Sequence, residues 1–242
     1  MAQGDDSTRF HIVCSDQPRN GKTLVARLLC EYLILCRRTP LIFDASPNPA
    51  GLRSYFPARA VRIELSTATG QMALFDRALA QPQDCVVDLP AHMLTGAIDL
   101  MRLIGFGEKS HTPDLEVIVL FVADRGVDSL FAGRKLRDQL RPARFIIVRN
   151  EAILPADLDR LPRFLYDGLA KEGQLVLPLL DRAVAAAIED RTFSFRRFAE
   201  AIPADMPHQV CLGIEDFYAR VYRQFDLLGL GADSEPRAAA GN

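Results

Sequence analysis

Six apolar runs, at 10–14, 41–43, 85–87, 115–122, 145–148 and 175–177, constrain the fold of this chain more than any other feature of its sequence. Each is short and apolar at consecutive positions rather than alternate ones, so a strand built from it needs cover on both faces. Most of the gaps between runs are long enough for a helix to cross back over a sheet, and parallel strands require such crossovers. The pattern predicts an α/β fold, a predominantly parallel sheet flanked by helices on both faces. With 49% apolar residues, 242 residues suffice for one such domain. The expected organisation is a single domain over 10–229, with disordered tails at 1–9 and 230–242, which are polar or small in composition.

Helical spacing is clearest over 23–36, where Arg27 and Glu31 form a narrow polar stripe on an otherwise apolar cylinder. Such a helix belongs largely buried against the sheet. Amphipathic helices are also predicted over 129–140, 182–188 and 215–228, the last carrying Phe217, Val221, Tyr222, Phe225 and Leu228 on one face.

Between the first run and the first helix stands "SDQPRNGKT", residues 15–23. The order of strand, polar loop, Gly-Lys-Thr and helix is what phosphate binding requires. Backbone N–H groups and the helix dipole converge on an anion, Lys22 neutralises phosphate oxygens, and the Thr23 hydroxyl holds Mg²⁺. The full motif, G-x-x-x-x-G-K-[ST], has glycine where this chain has Asp16. Asn20-Gly21 as a plain turn before a helix with a solvated lysine is the competing reading.

Together with "LIFDASPNP" and "DCVVDLPAH", this loop resembles that of the ParA/MinD group of P-loop ATPases, the deviant Walker A group, with matching element order over about residues 10–225. The resemblance implies the P-loop NTPase fold, with ATP and Mg²⁺ as ligands. Members typically carry K-G-G-x-G-K-[ST]. Gly21, Lys22 and Thr23 match it, while Gln17 replaces the lysine that reaches a dimer partner's nucleotide, and Arg19 is a cation two residues away. In the second motif, usually D-x-D-P, Asp44 matches the first carboxylate and Ser46 replaces the second, which implies slow or absent hydrolysis. Asp44 reads equally as a strand-end carboxylate capping the next turn. Asp88 matches the family's Walker B position near the Mg²⁺ shell. Asn150 and Pro178 fall in the order of the family's adenine-contacting positions, and Asn150 is also a common strand-end turn residue. The implied set is thus Lys22 and Asp44 for catalysis, Asn20, Gly21, Lys22, Thr23, Asn150 and Pro178 for nucleotide, and Thr23 and Asp88 for metal.

Charge narrows the partners. A net charge of −2 gives no general attraction to DNA or membranes. The cations Arg134, Lys135, Arg137, Arg141 and Arg144 are interrupted by Asp138, so a solvated helix face is preferred over nonspecific DNA binding. No run is long enough to span a bilayer, and the last helix lacks a lysine-rich face, so no membrane insertion is expected. Five cysteines without metal-ligand spacing, and four scattered histidines, read as a reduced cytoplasmic protein without zinc. The expected function is a nucleotide switch acting in positioning, partition or plasmid transfer through homodimerisation and a protein partner. A scaffold that has lost productive nucleotide binding is the alternative. A small-molecule kinase or ligase on the same loop and sheet is a third reading, without an acceptor motif to support it.

Overall fold

The computed structural model describes residues 8–46, 51–80, 83–108, 112, 114–154 and 162–231. Pro47 of the second motif, His111 and most of both expected tails lie outside them. In chain order the elements are β1 (Thr8–Cys14), α1 (Lys22–Leu35), β2 (Leu41–Asp44), α2 (Leu52–Tyr55), β3 (Ala60–Arg62), α3 (Ala68–Leu79) and β4 (Cys85–Asp88). A 3-10 turn at Ala91–Met93 leads into α4 (Leu94–Leu103), followed by β5 (Leu115–Ala123), α5 (Val127–Gln139), β6 (Arg144–Asn150) and α6 (Arg163–Ala170). The chain continues through β7 (Gln174–Leu177), α7 (Arg182–Glu189), α8 (Phe195–Glu200) and α9 (His208–Leu227).

The seven strands form one sheet in the order β3-β2-β4-β1-β5-β6-β7, with every pairing parallel. All six apolar runs are strands. Their side chains alternate between two cores: Leu115, Val117, Val119, Phe121 and Ala123 of β5 face one side, and Ile118, Leu120 and Val122 face the other. The first core is closed by α3, α4, α5 and α6, the second by α1, α2, α7, α8 and α9. Both faces of the central strands are therefore dry, which is why β4, β5 and β6 read as apolar runs, while β1 buries Arg9 and His11 on one face.

The boundaries depart from expectation at both ends. Thr8 and Arg9 belong to β1, because the neighbouring β5 extends the ladder to the pairs Thr8–Leu115 and Arg9–Glu116. Leu230 is fully buried and Gly231 packs on the Tyr32 ring, so the fold runs two residues past 229. The last helix begins at His208, where Cys211 and Ile214 continue the buried stripe that sequence spacing places from Phe217 onward. Its apolar face lies on the sheet. Among the described residues no helix is long and apolar enough to cross a membrane.

Candidate functional site

The order of the sheet decides what can meet at the carboxyl ends of the strands. β4 lies directly beside β1, with Val13 opposite Asp88, so the loop after β1 and the carboxylate ending β4 are neighbours. There the Thr23 hydroxyl donates to Asp88 Oδ2 at 2.6 Å. Asp88 is 3% exposed, and burial pushes its carboxyl up to about 6; the Thr23 hydrogen bond opposes that rise, Asp44 adds to it, and the nearby Lys22 charge opposes it.

The loop is held from within. Asn20, buried, donates through its side-chain amide to Ser15 Oγ and to Val122 O, the latter at 3.0 Å. Lys22 Nζ donates to Gln17 O at 2.6 Å and to Asn20 Oδ1 at 3.2 Å. Desolvation lowers the ammonium's pKa, against the pull of Asp88. Asp16 is drawn sideways: its carboxylate accepts from Ser129 Oγ at 2.6 Å and from Gln17 Nε2 at 3.1 Å. Gly21 has φ +100°, and a Cβ there would lie 2.7 Å from Asn150 Nδ2. Glycine is needed at this position on both counts. Gly21 precedes α1 without a side-chain cap and the first turn has no acidic residue, so the positive end of the helix faces the site, with Asp88 across from it.

Two clefts meet at this loop and share Arg19, Gly21, Thr23 and Leu24. The larger, about 750 Å³, runs past Lys22, Ser46, Asp88 and His92. The smaller, about 420 Å³, is walled by Leu177, Pro178, Leu180 and Phe217 and carries Asn150 and Arg27. Lys22 and the loop make the larger cleft suited to an anion, and the Leu177, Pro178, Leu180 and Phe217 walls make the smaller suited to a flat organic group.

Of the residues singled out from sequence, Asn20, Gly21, Lys22, Thr23 and Asp88 converge. Asn150 reaches the same loop, its Nδ2 donating to Asn20 O at 3.0 Å, and Pro178 lines the smaller cleft. Asp44 lies beside Asp88 in the ladder, and each of its oxygens holds a backbone amide: Oδ1 accepts from Ser46 N at 2.9 Å and Oδ2 from Arg53 N at 3.0 Å. Of its two sequence readings, the geometry favours the cap. Sequence reasoning placed Arg27 in a narrow polar stripe on a largely buried helix but missed its role; it is 1% exposed. It donates to Ile188 O at 2.5 Å and Phe193 O at 2.6 Å, pairs with Glu31, and lies 4.0 Å from the Tyr55 ring. A charged pair four apart on an apolar helix was the available signal.

Among the described residues no three His, Cys, Asp or Glu side chains converge on a metal position. The pair Thr23–Asp88 fits Mg²⁺, which is commonly held by one or two side chains and completed by phosphate oxygens and water.

No protein-family model matches this chain, and no curated protein does. Among solved structures, MinD cell division protein from Aquifex aeolicus superimposes with a TM-score of 0.57, covering 95% of this chain and 99% of that one. The fold is the P-loop NTPase fold of MinD. At 14% identity the likeness concerns the fold alone. A MinC:MinD cell division protein complex from the same organism matches with a TM-score of 0.46 and 14% identity, over 97% of this chain and 100% of that one.

Proposed function

We propose that this protein is a ParA/MinD-type nucleotide switch that binds ATP with Mg²⁺, turns it over slowly or not at all, and acts through dimerisation and a protein partner. The observation that carries the reading is the Thr23–Asp88 contact of 2.6 Å at the uncapped start of α1, with Lys22 lodged in the loop above it. In this reading the triphosphate lies in the larger cleft against the loop amides and Lys22, and the base lies in the smaller cleft by Asn150 and Pro178. Mg²⁺, when bound, would supply positive charge to the phosphates. Thr23 and Asp88 would hold it through the hydroxyl and the carboxylate.

Slow turnover follows from the second motif. Ser46 offers a hydroxyl where the resembling family has a carboxylate, and the Asp44 oxygens serve backbone amides, so neither is a ready base for water. The larger cleft opens to solvent past Pro18 and Arg19, both exposed, and a second copy laid over it would exclude that water. DNA is a weaker candidate partner, because Arg137 of the basic helix is tied to Gly168 O at 2.6 Å. The expected setting is the cytoplasm, in positioning, partition or plasmid transfer.

The scaffold alternative also has an observation in its favour. Lys22 Nζ is occupied by the loop's own Gln17 O and Asn20 Oδ1, a self-satisfied arrangement that needs no ligand. Isothermal titration calorimetry separates the two. The switch predicts saturable ATP binding that strengthens with Mg²⁺ and weakens by on the order of 100-fold in Lys22→Ala, the size expected for losing a buried charge–charge contact. No saturable heat from the wild type would leave the scaffold.

A further inference from the structure

Two non-glycine residues among those described have positive φ, Arg19 at 59° and Arg37 at 60°. Arg37 has a plain reason. It follows α1, where its N–H bonds Ile34 O and the Arg38 N–H bonds Leu33 O, closing the helix end in the usual left-handed way. No helix ends before Arg19. Left-handed backbone is unfavourable for a side chain with a Cβ, and glycine would adopt it freely. The surrounding loop nonetheless enforces it: Pro18 fixes the preceding φ, Lys22 Nζ grips Gln17 O, and the buried Asn20 side chain is pinned to Ser15 Oγ and Val122 O.

The consequence of this conformation is a placement. The Arg19 side chain is exposed, borders both clefts, and has no hydrogen bond or ion pair to any described residue. Asp16, the acid of the loop, also lines the larger cleft, with its carboxylate held by Ser129 Oγ and Gln17 Nε2. Positive φ at Arg19 and Gly21, on either side of Asn20 with negative φ, is also the alternation that turns successive backbone N–H groups toward one concavity, an anion nest. Pro18 removes one N–H from that nest.

We propose that Arg19 is the polyphosphate-recognising cation of this loop, set at the junction of the two clefts to grip the phosphate chain of a nucleoside polyphosphate. The proposal rests on the nucleotide reading above and adds a residue and a ligand class to it. A guanidinium offers a planar fork of donors matched to phosphate oxygens, which makes up in charge for the amide that proline lacks. Recognition through Arg19 therefore scales with the phosphate chain and not with the base.

The test compares wild type, Arg19→Gly and Arg19→Lys by calorimetry with Mg-ATP, tripolyphosphate and adenosine, alongside thermal melts. The expected result is that Arg19→Gly binds ATP and tripolyphosphate at least about tenfold more weakly, about 1.4 kcal/mol. Its adenosine affinity stays the same and its melting temperature is equal or higher, since glycine relieves the left-handed strain. Arg19→Lys recovers part of the loss, and raising salt narrows the gap between wild type and Arg19→Gly. Unchanged ATP affinity in Arg19→Gly overturns the proposal while leaving the nucleotide reading standing. An equal loss of adenosine affinity, or a lowered melting temperature, overturns it by showing that Arg19 shapes the loop instead. A wild type that binds neither ATP nor tripolyphosphate overturns both.

Discussion

Replacing Asp88 with Asn should stabilise the ligand-free fold, and by an amount that depends on pH. Asp88 is 3% exposed, and its pKa rises from an ordinary 3.8 to about 6, chiefly through desolvation. Between those values the folded chain binds more protons than the unfolded chain, so stability falls as pH rises through the window and is flat above it. At pH 7.5 the ionised carboxylate costs the fold about 3 kcal/mol. Asparagine removes that cost and still accepts from the Thr23 hydroxyl, but takes from the Lys22 ammonium its larger countercharge, leaving Asp16. The net gain expected at pH 7.5 is about 1–3 kcal/mol. For a chain of this size that is a rise in melting temperature of about 2–12 °C. Circular-dichroism melts of both proteins from pH 4 to 8 should show no gain at pH 4, a growing gain between 4 and 6, and a plateau above. The same variant should lose the Mg²⁺-dependent part of ATP affinity, a trade of stability against function. A gain independent of pH, or an Asn variant less stable at pH 7.5, would refute the reasoning.

Two further substitutions probe the supports of the site. Gly21→Ala combines a φ of +100° with a Cβ 2.7 Å from Asn150 Nδ2, so urea denaturation should show a loss of about 1–3 kcal/mol, partly restored when Asn150→Ala removes the clash. Glu31→Ala removes the acceptor of Ser194 Oγ at 2.6 Å and Arg196 N at 2.8 Å and strands a guanidinium that is 1% exposed, a loss of about 3–5 kcal/mol by the same assay. Glu200→Ala, in the exposed pair with Arg196, is the control and should change little.

The sheet was legible because its central strands are buried on both faces, and burial leaves an apolar run in the sequence wherever it occurs. β3 left no such run. Ala60, Val61 and Arg62 form an edge strand that is half-buried or exposed, and pairing with β2 rather than residue type makes it a strand. The meeting of Lys22, Thr23 and Asp88 could be read from element order, since a strand placed beside β1 brings its terminal carboxylate to the loop. The commitment of Asp44 could not, because one of its partners is the backbone N–H of Arg53, nine residues on, which no side-chain pattern reports. Nor could the role of Arg27. Its acceptors are the carbonyls of Ile188 and Phe193, 161 and 166 residues away, and only the packing of α7 and α8 against α1 brings them there.

Asn150 links the two clefts more tightly than their shared lining suggests. A side-chain amide has two N–H donors and two acceptor lone pairs. One donor already holds Asn20 O, and one acceptor site already takes the Ala152 N–H at 3.1 Å. What is left is one donor and one acceptor, the pair of functions a heteroaromatic base edge needs. A base read there and the loop held by the same amide would then share one rigid group, because rotating the amide to follow the base breaks its bond to Asn20 O. Asn20 is in turn anchored to Val122 O and braced by Lys22, so displacement on the base side reaches the phosphate side within three residues. An occupant of the smaller cleft should therefore change the affinity of the larger one even when the two are filled by separate molecules, and by reciprocity the phosphate ligand should change base affinity by the same factor.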